Sequence, residues 1–267
     1  MHLRPLPALI AGGLATAIAL SAPLSTPGSA APAATPTATS DSASDHQAST
    51  RSAVAEVRTI GTTVRGRQIR AYRLGEANAA RTVVLLGVMH GSERAPGLTL
   101  RRLRDTAQTV TRVDLWVIPV LNPDGAATGR RANARGVDLN RNFPHRWSRS
   151  VSGAGRTAAS ERETKAIMRF LDRVDPDVVV SLHQPFAAVD TSVNKGRGLA
   201  RALSRELKLP RRDIDCGGPC RGTLTGWFNA THAGEAITVE FGPRPARNYL
   251  RRTAVRGLVA AVGGRLR

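Results

Sequence analysis

The stretch RTVVLLGVMHGSERAP, residues 81–96, joins a near-continuous apolar run to a histidine and a glutamate. Three later runs have the same apolar character: VDLWVIPVLN at 113–122, PDVVVSLH at 176–183 and EAITVEF at 235–241. Short runs of this kind are typical of strands that are buried on both faces of a sheet. We therefore predict that all four runs belong to one central sheet.

Helical stretches separate these strands and follow the last one. They are predicted near 96–109, 160–173 and 196–207, and over about 246–262, where Val255, Leu258, Val259 and Val262 share one face. Residues 56–74 alternate well enough for two more strands around an Arg65-Gly66 turn. The pattern predicts an α/β fold: a mainly parallel mixed β-sheet with helices on both faces, in a single domain.

The N-terminal segment has the layout of a secretory signal. Residues 1–30 combine a basic start, an apolar middle of about 15 residues and small residues near Ala30. The apolar run is shorter than the roughly 20 residues of a spanning helix, so we predict no stable membrane span. Residues 31–53, rich in Ala, Pro, Ser and Thr, are predicted to be a disordered tether, which leaves 54–267 as the folded domain. The protein is expected to be secreted or associated with the cell envelope.

The formal net charge of +19 is carried almost wholly by arginine. The sequence has no zinc-finger spacing, no aromatic-rich sheet motif and no basic helix with regular phosphate-reading spacing, so we expect no nucleic-acid partner. An anionic cell envelope is one explanation of the charge, and a solvated arginine-rich surface is the other. Cys216 and Cys220, in DCGGPCRG, are expected to form a local disulfide, since an exported chain meets oxidising conditions.

Polar side chains stand at or just past the ends of the four apolar strands. They are His90, Asn122, His183 and Glu240. Ligands gather beyond the carboxyl ends of strands in open α/β sheets, so one rim is the expected site.

A turn at Gly91 and Ser92 would bring His90 and Glu93 together as zinc ligands. The alternative is a strand-end histidine hydrogen-bonded to a helix-capping glutamate. His183 is the preferred third ligand because it closes its strand as His90 does, and His145 is the second choice.

Two further groups suit hydrolytic chemistry. A carboxylate inside an apolar strand is costly unless it has a partner or a role, so Glu240 is a candidate general base and acid. Its alternative is a salt bridge to an arginine. The segment GRRANARGVDLNRNFP, residues 129–144, supplies arginines that match a substrate carboxylate or a developing oxyanion.

Taken together, these motifs resemble the zinc carboxypeptidase family, the relatives of carboxypeptidases A and B. HGSE, NPDG, GVDLNRNFP, SLH and TVEF occur in the order of that family, over roughly residues 56–243. The short chain and the HQPFAAVD segment resemble the compact bacterial members, the murein peptide amidases, which act on cell-wall peptides. In that case Asp190 is expected to face a substrate amine.

The resemblance implies a role for each matching residue. His90, Glu93 and His183 correspond to the ligands of one Zn²⁺ per chain, and Glu240 corresponds to the general base and acid. Arg131 corresponds to the oxyanion arginine, although Arg130 and Arg135 lie close in sequence. Asn140 and Arg141 correspond to the pair that binds the substrate carboxylate.

The chain departs from the digestive members at the tyrosine that covers the substrate. Its only tyrosines, Tyr72 and Tyr249, are outside the corresponding loop, so either Trp227 or no residue is expected to cover the substrate. The leading hypothesis is an exported zinc metallopeptidase or amidase that releases a residue with a free carboxylate. The alternatives are a metallocarboxypeptidase of ordinary peptides, a deacylase of small N-acyl amino acids and an inactive wall-binding protein.

Overall fold

Eight strands form the central sheet of the computed structural model, in the order β1-β2-β5-β3-β6-β9-β7-β8. The structure describes residues 53–192, 195–214, 216 and 220–267. The predicted signal and nearly all of the predicted tether therefore lie outside the described residues. The strands of this sheet are β1 Glu56–Thr62, β2 Gln68–Arg73, β3 Thr82–Leu86, β5 Asp114–Ile118, β6 Val178–His183, β7 Ala188–Asp190, β8 Arg211–Arg212 and β9 Glu235–Glu240.

The four apolar strands lie next to one another at the centre of the sheet. β5, β3, β6 and β9 are parallel, while β2 pairs antiparallel with β5, and β7 pairs antiparallel with β9. β1 and β2 form the predicted hairpin, in which Gly66 adopts a positive φ of 76°. The prediction of a mainly parallel mixed sheet is confirmed. A separate two-stranded sheet pairs β4 Val110–Thr111 with β10 Arg265–Leu266.

Helices cover both faces of the sheet. They are α1 Arg94–Arg104, α2 Pro123–Thr128, α3 Arg162–Val174, α4 Arg197–Leu207, α5 Leu224–Thr231 and α6 Ala254–Ala261. α1, α4 and α6 pack in one apolar cluster, and α3 and α5 pack in a second. Val83 and Leu85 of β3 belong to the first cluster, whereas Val84 and Leu86 belong to the second. Because alternate residues of a strand face opposite sides of the sheet, a continuously apolar strand contributes side chains to both clusters.

The last predicted helix is divided into two segments. A π-helical turn, Tyr249–Thr253, precedes α6, and Val255, Leu258, Val259 and Val262 are all buried in the first cluster. α2 and α5 were not predicted, because six and eight residues are too few for a clear helical period. Among the described residues, no helix is both long and apolar enough to cross a membrane.

Candidate metal centre and active site

The carboxyl ends of the four central strands bring the predicted residues to one rim. His183 and Glu240 are the last residues of β6 and β9 and are paired in register. His90 and Asn122 follow β3 and β5 by four residues each. Since β5, β3, β6 and β9 are neighbours in the sheet, side chains from distant parts of the sequence converge there.

A tight turn joins His90 to Glu93. The Glu93 amide donates to the His90 carbonyl at 3.0 Å, and the Gly91 amide donates to the Arg131 carbonyl at 3.2 Å. A Cβ at position 91 would lie 2.0 Å from the carbonyl carbon of Gly125, so only glycine fits this close approach.

Asn122 holds this turn in place and does not reach the cavity. Its Oδ1 accepts from the Gly125 amide at 2.9 Å, which caps α2. Its Nδ2 donates to the carbonyls of Met89 at 3.2 Å and Arg131 at 3.4 Å. The predicted rim residue Asn122 therefore has a structural role.

The side chains of His90, Glu93 and His183 form a compact triangle. Nδ1 of His90 lies 2.7 Å from Oε1 of Glu93 and 3.2 Å from Nδ1 of His183, which lies 3.0 Å from Oε2 of Glu93. Tetrahedral zinc with ligand bonds of about 2.05 Å separates its ligand atoms by roughly 3.3 Å. The observed spacings are close to this value, and all three residues are buried. The donor set and its dimensions thus fit a zinc ion.

Both histidines are oriented by their outer nitrogens. His90 Nε2 lies 2.9 Å from Oδ1 of Asp138, and His183 Nε2 lies 2.9 Å from Oγ of Ser181. A carboxylate behind a ligating histidine fixes its tautomer and raises its basicity. Asp138 was not predicted as a site residue, although it lies within the GVDLNRNFP segment.

Glu93 does not act as a helix cap. It occupies the N-cap position of α1, yet its side chain makes no capping hydrogen bond. Burial alone would raise the pKa of Glu93, but hydrogen bonds from His183 and His90 lower it to about 2. The carboxylate is therefore ionised, as a metal ligand must be. The alternative of a helix-capping glutamate is excluded.

Glu240 is buried at the same rim and pairs with no arginine. Its Oε2 has no hydrogen-bond partner, and no ion pair of the described residues includes it. Burial raises the pKa of Glu240, and the nearby negative charge of Glu93 adds to the increase. A carboxyl group in this environment is suited to take up and release a proton.

Arg131 reaches the metal centre, whereas Arg130 and Arg135 do not line the cavity. Its Nε donates to Oδ2 of Asp138 at 3.0 Å, and its Nη1 donates to Oε1 of Glu93 at 3.2 Å. The side chain remains 50% exposed. Asp138 therefore anchors both His90 and Arg131, and the guanidinium stays open towards the cavity.

Asn140 and Arg141 lie on a short 3₁₀ helix, Leu139–Arg141, and line the same cavity. Oδ1 of Asn140 accepts from the Leu224 amide at 3.0 Å, so its NH₂ group is the part that remains for a ligand. Nη1 of Arg141 donates to the Asn140 carbonyl at 2.8 Å, which orients the guanidinium.

One cavity of about 300 Å³ is lined by all the predicted metal-binding, catalytic and carboxylate-binding residues, but not by Asn122. Its wall also includes Phe186, Asp190, Cys216 and Cys220. The two cysteines form a disulfide, as predicted. Phe186 was missed because a single phenylalanine in a loop carries no periodic signal. It is 54% exposed and follows Gln184, which bonds to the Ala95 amide at 2.8 Å and the Gly242 carbonyl at 3.1 Å. An aromatic ring is thus presented at the cavity on an anchored segment.

The suggested replacement for the covering tyrosine is wrong. Trp227 is 5% exposed and stacks on Phe143 in the second apolar cluster, so its ring is committed to the core. Tyr249 donates its hydroxyl to the Leu207 carbonyl at 2.8 Å, away from the cavity. The second-choice ligand His145 is outside the triangle, and the described residues contain one group with metal-ligand geometry, which is His90, Glu93 and His183.

Comparison with known proteins agrees with this arrangement. Residues 41–189, more than half of the chain, match the family model described as zinc carboxypeptidase. Murein peptide amidase A of Escherichia coli (strain K12) is 32% identical over 177 residues, which cover 60% of this chain and 71% of that protein. Murein peptide amidase A of Vibrio campbellii is 33% identical over 202 residues, which cover 68% of this chain and 78% of that protein.

Solved structures are similar over most of the described domain. The murein-tripeptide amidase of Escherichia coli O157 has a TM-score of 0.65 at 25% identity and covers 81% of this chain and 95% of its own. Carboxypeptidase A of Helicoverpa armigera has a TM-score of 0.67 at 16% identity and covers 78% of this chain and 68% of its own. At this identity the similarity is one of fold. Glu240 lies beyond the residues that the family model matches, so its assignment depends on its position in the cavity.

Proposed function

Because the chain belongs to the zinc carboxypeptidase family, and is therefore a zinc-dependent hydrolase, we propose that it is an exported amidase of murein peptides. It hydrolyses an amide bond and releases a residue that carries a free carboxylate. The observation that carries this proposal is the single cavity that holds the zinc triangle, Glu240, Arg131 and the Asn140–Arg141 pair. Each group needed for amide hydrolysis faces the same space.

His90, Glu93 and His183 would hold the zinc ion, which would supply Lewis acidity towards the scissile carbonyl and the attacking water. Glu240 accepts the proton of the attacking water and later donates it to the leaving amine. Arg131 stabilises the negative charge that develops on the carbonyl oxygen. Asn140 and Arg141 donate to the terminal carboxylate and set the register of the peptide.

The choice of murein peptides is supported by the relatives and by the cavity wall. The three amidases reported above, two from sequence comparison and one solved structure, are named for murein peptides. Asp190 is buried at the cavity and accepts, through Oδ1, from the amides of Ser192 at 2.9 Å and Ile214 at 3.1 Å. A diaminopimelate residue released from γ-D-glutamate carries a second amine, and the position of Asp190 in the cavity wall supports a contact with that amine.

Export is part of the same proposal. The signal-like residues 1–30 motivate it, and the Cys216–Cys220 disulfide is consistent with an oxidising compartment. The high positive charge suits an anionic cell envelope.

The alternative substrates are ordinary peptides with a free C-terminal carboxylate and small N-acyl amino acids. An inactive wall-binding protein would have no need for Glu240 beside an intact ligand triangle.

Kinetics on three peptides test the proposal. They are a tripeptide ending in diaminopimelate linked to γ-D-glutamate, the same tripeptide with an amidated terminus, and an ordinary tripeptide. We expect the first to be the best substrate, and amidation to reduce kcat/KM about ten- to hundredfold through the loss of a charge-assisted contact. Chelator should abolish all turnover.

Three outcomes would contradict the proposal. Equal rates on the free and amidated peptides would remove the role of Asn140 and Arg141. A preference for the ordinary peptide would reject the murein substrate. Activity that survives complete removal of zinc would reject the metal mechanism.

A further inference from the structure

A second feature of the surface is a pair of hollows lined by arginine, far from the zinc site. One hollow, of about 290 Å³, is lined mainly by Arg102, Arg251, Arg252 and Arg256. The other, of about 360 Å³, is lined by Arg256 and Arg265 together with the apolar residues Val259, Ala260 and Leu266. The two share Arg256 and Gln108, so they adjoin. We call them together the arginine hollow.

The arginine hollow is separated from the active site by the length of a helix. α1 begins directly after the ligand Glu93, and Arg102 lies near its other end. Eight residues of α-helix span roughly 12 Å. Arg251 and Arg252 come from the π-helical turn, Arg256 from α6 and Arg265 from β10. Four elements, α1, the π-helical turn, α6 and β10, therefore contribute guanidinium groups to one concave surface.

Among the described residues, no carboxylate forms an ion pair with these arginines, although the charge of Arg102 contributes to lowering the pKa of Asp105. No Asp or Glu of the described chain lines either part of the hollow. The nearest acid along α1, Asp105, is engaged by Arg104 at 2.6 Å. Residues 241–267 contain seven arginines and no acidic residue.

Such a cluster has an electrostatic cost in the absence of a ligand. Its five guanidinium groups all carry positive charge, and like charges gathered on one concave surface repel one another. The π-helical turn that carries two of these arginines is also a rare backbone form, found frequently at functional sites. Both features are accounted for if an anion occupies the hollow.

The chemistry of the lining indicates which anion. The guanidinium fork matches phosphate oxygens in pairs, and Thr106 and Gln108 add neutral donors. Two adjoining hollows suit consecutive charged groups better than a single ion. No aromatic side chain lines them, so bases have no stacking partner. The larger apolar side chains of the lining, Val255, Val259 and Leu266, are buried or partly buried. The exposed large hydrophobic residues of the described chain, Val57, Val64 and Phe186, lie on other segments, so the hollow presents no exposed apolar anchor to a bilayer.

We propose that the arginine hollow binds a linear phosphate polymer, through bidentate contacts between its guanidinium groups and successive phosphates. This binding site is independent of the amidase activity. It would hold the enzyme on a phosphate-bearing polymer while the zinc site remains open to peptide.

Calorimetric titration with inorganic polyphosphate tests the proposal on the zinc-loaded protein. The variant is the double substitution Arg252→Gln/Arg256→Gln. Its control is Arg169→Gln/Arg173→Gln, which removes the same charge from two exposed arginines of α3. α3 packs against the other face of the sheet. Both doubles should keep the thermal midpoint and the amidase activity of the parent, because all four side chains are exposed and outside the cavity.

We expect the parent and the control to bind polyphosphate equally, and the hollow double to bind at least about tenfold more weakly. Poly-L-glutamate of equal charge should bind more weakly than polyphosphate, since it lacks phosphate groups. An equal loss in both doubles, or no binding by the parent at 0.15 M salt, would reduce the hollow to general surface charge and overturn the proposal. Oligothymidylate and phosphatidylglycerol vesicles are tested in the same way. If either binds more strongly than polyphosphate, and loses this binding in the hollow double, the proposed ligand class is wrong.

Discussion

Glu93 and Glu240 are the same residue type at the same rim of the sheet, yet their surroundings shift their pKa values in opposite directions. Glu93 accepts hydrogen bonds from two histidines, which lower its pKa to about 2 in spite of its burial. Glu240 has one oxygen without a partner, and burial raises its pKa. The first carboxylate is therefore suited to hold a metal permanently, and the second to exchange a proton.

Replacement of Glu240 by glutamine separates these roles. The isosteric amide should leave folding and zinc content unchanged but slow turnover at least about a hundredfold, because it can no longer carry a proton. Turnover and bound zinc are measured on the same preparation. Glu163→Gln is the matched control: Glu163 is also buried with an unpaired oxygen, but it lies outside the cavity and should tolerate the change. Near-normal turnover by Glu240→Gln would remove this residue from the mechanism.

At the scale of elements, the site residues lie at the carboxyl ends of the central strands, and hydrogen bonds join the loops that follow these strands. Asn122 joins three of these segments, since it caps α2 and bonds to the carbonyls of Met89 and Arg131. Asp138 performs the corresponding task for side chains, because it contacts both His90 and Arg131. The geometry of the site therefore depends on contacts between loops as much as on the sheet.

Asn122→Ala should cost more stability than the loss of an ordinary cap. Removal of the cap costs about 1 kcal/mol, and two further hydrogen bonds contribute about 1 kcal/mol each, for a total of about 3 kcal/mol. Thr223→Ala, which removes only the cap that accepts from the Gly226 amide on α5, should cost about 1 kcal/mol. Urea unfolding of the zinc-free proteins gives both values. Equal losses would show that the bonds of Asn122 to the two loops add nothing.

At the scale of the whole molecule, zinc would act as a cross-link between distant segments. His90 and His183 are 93 residues apart in sequence, and their Nδ1 atoms lie 3.2 Å apart. A ligand that binds only the folded state adds its binding free energy to the free energy of unfolding. Metal binding and folding are therefore expected to be coupled in this protein.

This coupling predicts a zinc-dependent melting temperature. At free zinc one hundred times Kd the gain is about 2.7 kcal/mol, which corresponds to a rise of roughly 5–10 °C for a domain of this size. His183→Ala should lose both the bound metal and the rise. His145→Ala should keep both, because His145 is outside the ligand triangle. Full zinc occupancy in His183→Ala, or the same melting temperature with and without chelator, would contradict the assignment.

The amino-acid sequence determined the central sheet and the ligand set of this protein. Apolar runs that feed two cores are a local pattern, so β3, β5, β6 and β9 could be predicted without tertiary information. His90, Glu93 and His183 were predictable for a related reason. Each lies at or after the end of such a run, and parallel strands bring their carboxyl ends to one edge.

The environment of each side chain was decided only by tertiary structure. Asp138 orients a histidine 48 residues away, Arg131 and not its neighbours reaches the metal centre, and Phe186 and not Trp227 meets the cavity. Such contacts depend on how loops of different strands pack together, and a tryptophan on a short helix enters the core or the cavity according to that helix's neighbours. Local periodicity carries no information about packing between distant segments, because burial is set by the residues that come together in space.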